Sequence, residues 1–78
     1  MSIVSNIGEG FGRFTFPDKA NKYTIARGEC AEAETQIHIA IALKFVTAEE
    51  ASKALQMSRE VGRMLSGLIS SCHQRSSS

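Results

Sequence analysis

Tryptophan is absent from this 78-residue chain, and tyrosine and proline each occur once. No stretch is rich in β-branched and aromatic residues with period-two alternation, which argues against a sheet protein. No apolar run approaches the roughly 18 residues that would span a bilayer. The first residues show neither the basic nor the apolar region of a secretory signal, so a cytoplasmic location is expected. Charge of one sign is lacking too: nine Lys+Arg stand against eight Asp+Glu, a formal +1. Any nucleic-acid role must then rest on local clustering of cations rather than bulk charge. Cysteine is limited to Cys30 and Cys72, which have no metal-ligand spacing.

What is present favours helix. The chain is 42% hydrophobic and 22% charged, with Ala, Ile, Leu, Met, Glu, Lys and Arg filling its centre. From Tyr23, the residues Ala26, Cys30, Ala33, Ile37, Ala40 and then Lys44 follow at steps of three and four, widened by Ile41 and Phe45. Thr15 stands three residues before Asp18, and Pro17 suits a first helical turn. These signals predict a long helix over about residues 17–44. In "VTAEEA", Thr47 and Glu50 have capping-box spacing. Beyond them Ala51, Leu55, Ser58, Val61, Leu65, Leu68 and Cys72 repeat the stripe, predicting a second long helix over about residues 48–72. Residues 73–78 read as a polar, frayed tail. So short a connection makes the two helices an antiparallel hairpin.

A shorter stripe, Ile3, Val4, Ile7, Phe11 and Phe14, predicts a short helix over about residues 1–12 that runs into Gly8, Gly10 and Gly12. These glycines are spaced G-x-G-x-G, with no preceding strand and no Gly-Lys-Ser/Thr, so a phosphate-cradling loop is not expected. Instead Gly10 or Gly12 is expected to close the helix in the left-handed conformation, and Gly8 to let another helix approach. Arg13 then falls at the negative end of the helix dipole. The fold expected is all-α, a single domain over residues 1–75: a helical hairpin with a short leading helix, an incomplete up-and-down four-helix bundle.

The packing seam of that hairpin comprises Ala26, Cys30, Ala33, Ile37, Ala40, Leu55, Val61, Leu65 and Leu68. Alanines at 26, 33 and 40, seven apart, suit a close helix contact; a cofactor groove is the less favoured alternative. Met57 and Met64 read as filling a neighbouring contact. In an antiparallel hairpin Cys30 lies opposite a residue near Gly62. Cys72 is then ~15 Å farther along, too far for a bridge, whose Cα atoms lie within about 7 Å.

Three blocks, "SIVSNIGEGFGR", "IARGECAEAETQIHIA" and "EVGRMLSGLISS", resemble the signature blocks of small bacterial four helix bundle proteins. That family includes proteins encoded within intervening sequences of large-subunit rRNA genes and accessory proteins of diversity-generating retroelements. The blocks stand in the family's order and span about residues 2–71. Two departures go with the resemblance: the first helix and most of the second are expected to be missing, and "FTFPDKANKY" replaces a more basic stretch. Retroelement relatives resemble ring-shaped homo-oligomers, often pentamers, that bind nucleic acid. Apolar stripes too extensive for three unequal helices to cover, together with the resemblance, predict a homo-oligomer or a helical partner chain; RNA is expected as a further partner, and neither a membrane nor a small-molecule substrate is.

Within the blocks Asn6, Glu9, Glu32, Glu34, Thr35 and Gln36 are polar residues beside apolar stripes. Neither a Glu-x-x-His pair nor a nucleophile–base pair can be assembled, so no catalysis, metal or cofactor is expected. The structural reading has these residues hydrogen-bond between helices or pair with Arg27 and Arg63. The cations Arg13, Lys19, Lys22 and Arg27, joined by Arg63, His73 and Arg75 from the returning helix, make one end of the hairpin basic. Such an end can hold RNA phosphates, or be no more than a solvated surface. The expected function is a non-catalytic, oligomeric RNA-binding accessory or scaffold protein. The alternatives are a structural interaction module and a truncated remnant.

Overall fold

The computed structural model describes residues 2–76. Met1 and residues 77–78, parts of the expected short helix and tail, lie outside the described residues. Three helices follow in order, α1 (Ser2–Gly12), α2 (Phe16–Ala42) and α3 (Ala48–Ser76), and no strand occurs among the described residues.

Both long helices begin where their local chemistry dictates. Thr15 is the extended N-cap of α2, its Oγ1 accepting from the Asp18 N–H at 3.2 Å, with Pro17 in the first turn. At α3 the Thr47 N–H donates to Glu50 Oε1 at 2.9 Å, and the Glu50 N–H donates to Thr47 Oγ1 at 3.0 Å. These bonds, the Thr47 backbone donor foremost, hold the Glu50 carboxyl below its ordinary pKa.

The end of α2 differs from the expected one. Rather than continuing the helix, Lys44 adopts φ 62°. Its N–H donates to the Ile41 carbonyl at 3.0 Å, and the Phe45 N–H donates to the Ala40 carbonyl at 2.9 Å. That pair of bonds is a Schellman closure, whose left-handed position glycine usually fills. Replacing Lys44 with Gly is therefore expected to stabilise the fold by about 1 kcal/mol by relieving the Cβ crowding. For a domain of this size that raises the thermal midpoint by about 4–8 °C; an unchanged midpoint in thermal unfolding would contradict it.

α1 and α3 both pack on α2, each antiparallel to it. Asn6 meets Glu29 and Glu9 meets Lys22 along one side; Glu34 meets Arg59, and Arg27 meets Ser66, along the other. The main core joins Ala20, Tyr23, Ala26 and Cys30 of α2 to Leu65, Ile69 and Cys72 of α3, with Ile3 and Ile7 of α1 packed against it. Ala51 and Leu55 are buried nearer the hairpin turn. Both cysteines are buried free thiols.

Helix length sets where this core ends. At 1.5 Å per residue α1 is about 16 Å long and α2 about 40 Å, so α1 covers only the first half of α2. Of the expected seam, Ala26, Cys30, Leu55 and Leu65 are buried, whereas Ala33, Ile37, Ala40, Val61 and Leu68 are half-buried. Past Cys30 only two helices remain, and Ile39, Leu43 and Phe45 are exposed. Met57 and Met64 are exposed as well, on the outer face of α3, and fill no contact of the kind expected. The result is a plank of 48 × 19 × 14 Å with a radius of gyration of 14.6 Å, against about 11.5 Å for a compact chain of this length.

Two further expectations are corrected. No glycine has positive φ, and the close approach occurs at Gly10, against Tyr23, whereas nothing lies near a Cβ placed on Gly8. His73–Arg75, expected in the tail, form part of the last turns of α3. That end stays helical because α2 reaches back to Phe16 and gives it a surface. Cys72 is buried there, and the Arg75 guanidinium lies 5.6 Å over the Phe16 ring.

Candidate nucleic-acid interface

The six cations singled out in the sequence fall into three separate surroundings. Arg27 and Arg63 come together in an open groove between α2 and α3, of about 650 Å³. Cys30, Ala31, Glu34, Ser58, Gly62 and Ser66 line it with them, together with a third arginine, Arg59. Small residues at 31 and 62 leave the groove open. Arg27 Nη1 donates to Ser66 Oγ at 3.4 Å, and Arg59 Nε to Glu34 Oε1 at 3.2 Å. Three guanidiniums thus face a single carboxylate, and each is a planar fork suited to phosphate oxygens.

Arg13 and Lys22 sit elsewhere, on Glu9. Lys22 Nζ lies 2.9 Å from Glu9 Oε2, and Arg13 Nη2 lies 4.0 Å from it. The Lys22 bond, chiefly, lowers the Glu9 pKa. That lowering is the mark of a surface pair that holds α1 on α2 and loosens as pH falls through the Glu9 titration. Lys19 and Arg75 occupy the third place, near the α1–α2 turn. Lys19 Nζ donates to the carbonyls of Gly10 at 3.1 Å and Phe11 at 2.9 Å. It brings the cation that the last turn of α1 lacks to the negative end of that helix.

A family model, 23S rRNA-intervening sequence protein, matches residues 1–67. The chain belongs to that family. No curated protein and no solved structure matches it. The matched span takes in α1, α2 and most of α3, and with them all three groove arginines; Arg75 lies beyond it.

Of the polar residues in these blocks, Asn6, Glu9 and Glu34 tie one helix to another, as the first of the two expected readings had it. The Asn6 amide reaches Glu29, and Glu34 pairs with Arg59 rather than with Arg27 or Arg63. His38 Nε2 is also 3.9 Å from Glu34 Oε1. Thr35 Oγ1 donates to its own helix, at the Ala31 carbonyl, while Glu32 and Gln36 are exposed. Arg59 escaped the sequence reading because it lies off the apolar stripe. Its signal was the hairpin register, which sets it across from Glu34 and four residues before Arg63.

Burial, and secondarily Glu29, pushes the Cys30 thiol pKa up, so this groove thiol stays protonated near neutrality. Among the described residues no group of three or more His, Cys, Asp or Glu side chains is placed to hold a metal ion. None of their helices is long and apolar enough to cross a membrane.

Proposed function

We propose that this chain is a non-catalytic accessory protein that binds structured RNA through the Arg27–Arg59–Arg63 groove. The observation carrying this reading is that two helices bring three arginines to one open groove containing one carboxylate. The family's description speaks of a 23S rRNA intervening sequence, which makes RNA the polyanion to test first. The reading includes association with further copies, or with a helical partner, to complete a four-helix arrangement. Its support is the apolar surface left open at Ile39, Leu43 and Phe45. A ring of several copies, a pentamer among the options, would repeat the groove around its axis.

The test is a titration of structured RNA over a series of salt concentrations. Each phosphate contact contributes about −0.7 to −0.9 to the slope of log K against log salt. The variant R27Q/R59Q/R63Q is expected to flatten that slope by about 2 and to weaken binding at least about tenfold at low salt. Circular dichroism should match the parent, because all three side chains are on the surface. Sedimentation of the parent should show a species heavier than 8.5 kDa.

An unchanged slope would remove the RNA role. The second reading, a module that only docks other helices, rests on the same exposed Ile39, Leu43 and Phe45, and would then account for the sedimentation result alone.

A further inference from the structure

We infer that the aromatic hollow beside the α1–α2 turn is a stacking site for one unpaired base of a single-stranded nucleic acid. This inference rests on the RNA reading above and adds the kind of nucleotide recognised. The hollow has about 200 Å³ of space, walled by Phe11, Phe16 and Tyr23, with Lys19 and Arg75 at its sides. It is smaller than the roughly 300–1,000 Å³ of sites for drug-sized ligands, which suits a single planar ring.

Phe11 is 64% exposed, and its contact with Tyr23 is edge-on, with centroids 5.9 Å apart and planes at 71°. A phenylalanine held at a fixed angle with most of its surface in water is a ready face for a base. Arg75 lies over Phe16 at 5.6 Å, a cation on an aromatic face that also stacks on bases. Lys19 spends two of its three ammonium protons on the Gly10 and Phe11 carbonyls, which leaves the third for a phosphate.

Charge selects the occupant. Two cations and no carboxylate line this hollow, so it favours a flat ring carried on an anionic chain. Of the other exposed aromatics, Phe14 lines a hollow that also holds Glu9 and Asp18, and Phe45 is followed by Glu49 and Glu50; carboxylates at both places disfavour such a ligand.

Tyr23 is the only tyrosine and there is no tryptophan, so protein emission reports directly from the wall of this site. The experiment titrates the full chain with fluorescein-labelled single-stranded oligouridine and with an unlabelled RNA duplex of equal charge, at fixed salt. Anisotropy, or competition for the duplex, gives the affinities; an unlabelled strand gives the tyrosine signal. Phe11→Leu, which keeps apolar bulk but removes the ring face, is expected to weaken single-strand binding about tenfold and leave duplex binding unchanged. Quenching of Tyr23 by the single strand should be lost with it. Arg75→Gln, a surface change, is expected to weaken single-strand binding in the same direction.

Single-strand affinity and quenching unchanged in both variants would overturn the inference. Should R27Q/R59Q/R63Q still lose structured-RNA binding in that case, the groove reading survives without it. Should no variant alter any binding, both fall.

Discussion

Replacing Leu65 with Ala should cost about 3 kcal/mol, within the 2–5 kcal/mol typical of a buried leucine truncation. Leu65 is 0% exposed and is the largest fully buried side chain among the described residues. It packs where Tyr23, Ala26 and Cys30 of α2 meet Ile69 and Cys72 of α3, so the lost methyl groups leave a cavity that two antiparallel helices close only partly. The total stability of a domain this short is about 4–12 kcal/mol, and the substitution removes a large share of it.

Met64 is the control, one residue earlier on the same helix and 48% exposed. Met64→Ala should change stability by no more than about 0.5 kcal/mol if that face stays in solvent. Urea unfolding monitored by circular dichroism, with the slope held equal between variants, reads both. Equal losses at 64 and 65 would mean that the α2–α3 contact runs through a different face of α3.

The self-association proposed above would make the same measurement depend on protein concentration. If copies bind only when folded, the midpoint rises with concentration. Met64→Ala would then show a loss that grows at high concentration if its face belongs to the contact. Leu65→Ala would lose stability at every concentration. Core burial and surface burial thus separate in one data set.

The features legible in the sequence are the ones set locally. Both N-caps were readable because Thr15 with Asp18, and Thr47 with Glu50, bond across three residues regardless of tertiary context. The antiparallel register followed from a short turn and two long stripes, and it correctly brought the end of α3 beside the start of α2. What depended on a third body was not legible. Periodicity marks Ala26, Ala33 and Ala40 as equivalent, yet Ala26 is buried and the others half-buried, because α1 is too short to reach them.

The candidate site shows the same division. Clustering of cations along the chain suggested a single basic end, but residues three or four apart can point at different neighbours. Lys19 turns to the carbonyls of α1 and Lys22 to Glu9, while Arg27 faces α3. Which cation meets which partner is fixed by the rotation of each helix about its own axis. Lys44 is a further case: the stripe continues through it, and only the backbone closure shows that the helix has already stopped.

Gly8→Ala and Gly10→Ala should shift stability in opposite directions, although the residues are two apart on one helix. Alanine is worth up to about 1 kcal/mol over glycine inside a helix. At Gly8 nothing lies within 4 Å of an added Cβ, so most of that gain should appear. At Gly10 the added Cβ comes within 2.9 Å of Tyr23 Cδ1 and 3.0 Å of Cζ, and closer still to Cε1. Tyr23 is 2% exposed and its ring is wedged against Phe11, so the ring cannot swing aside and α1 must lift instead. Overpacking of this kind costs about 1–3 kcal/mol; set against the helical gain of up to about 1 kcal/mol, it leaves a net loss of up to about 2 kcal/mol. A double-mutant cycle isolates the cause: with Tyr23→Leu in the background, the penalty at Gly10 should shrink by at least about 1 kcal/mol, since the two sites touch. Equal stabilisation by alanine at both glycines would show that α1 does not seat its Gly10 face on Tyr23, and the docking of the short helix would have to be redrawn.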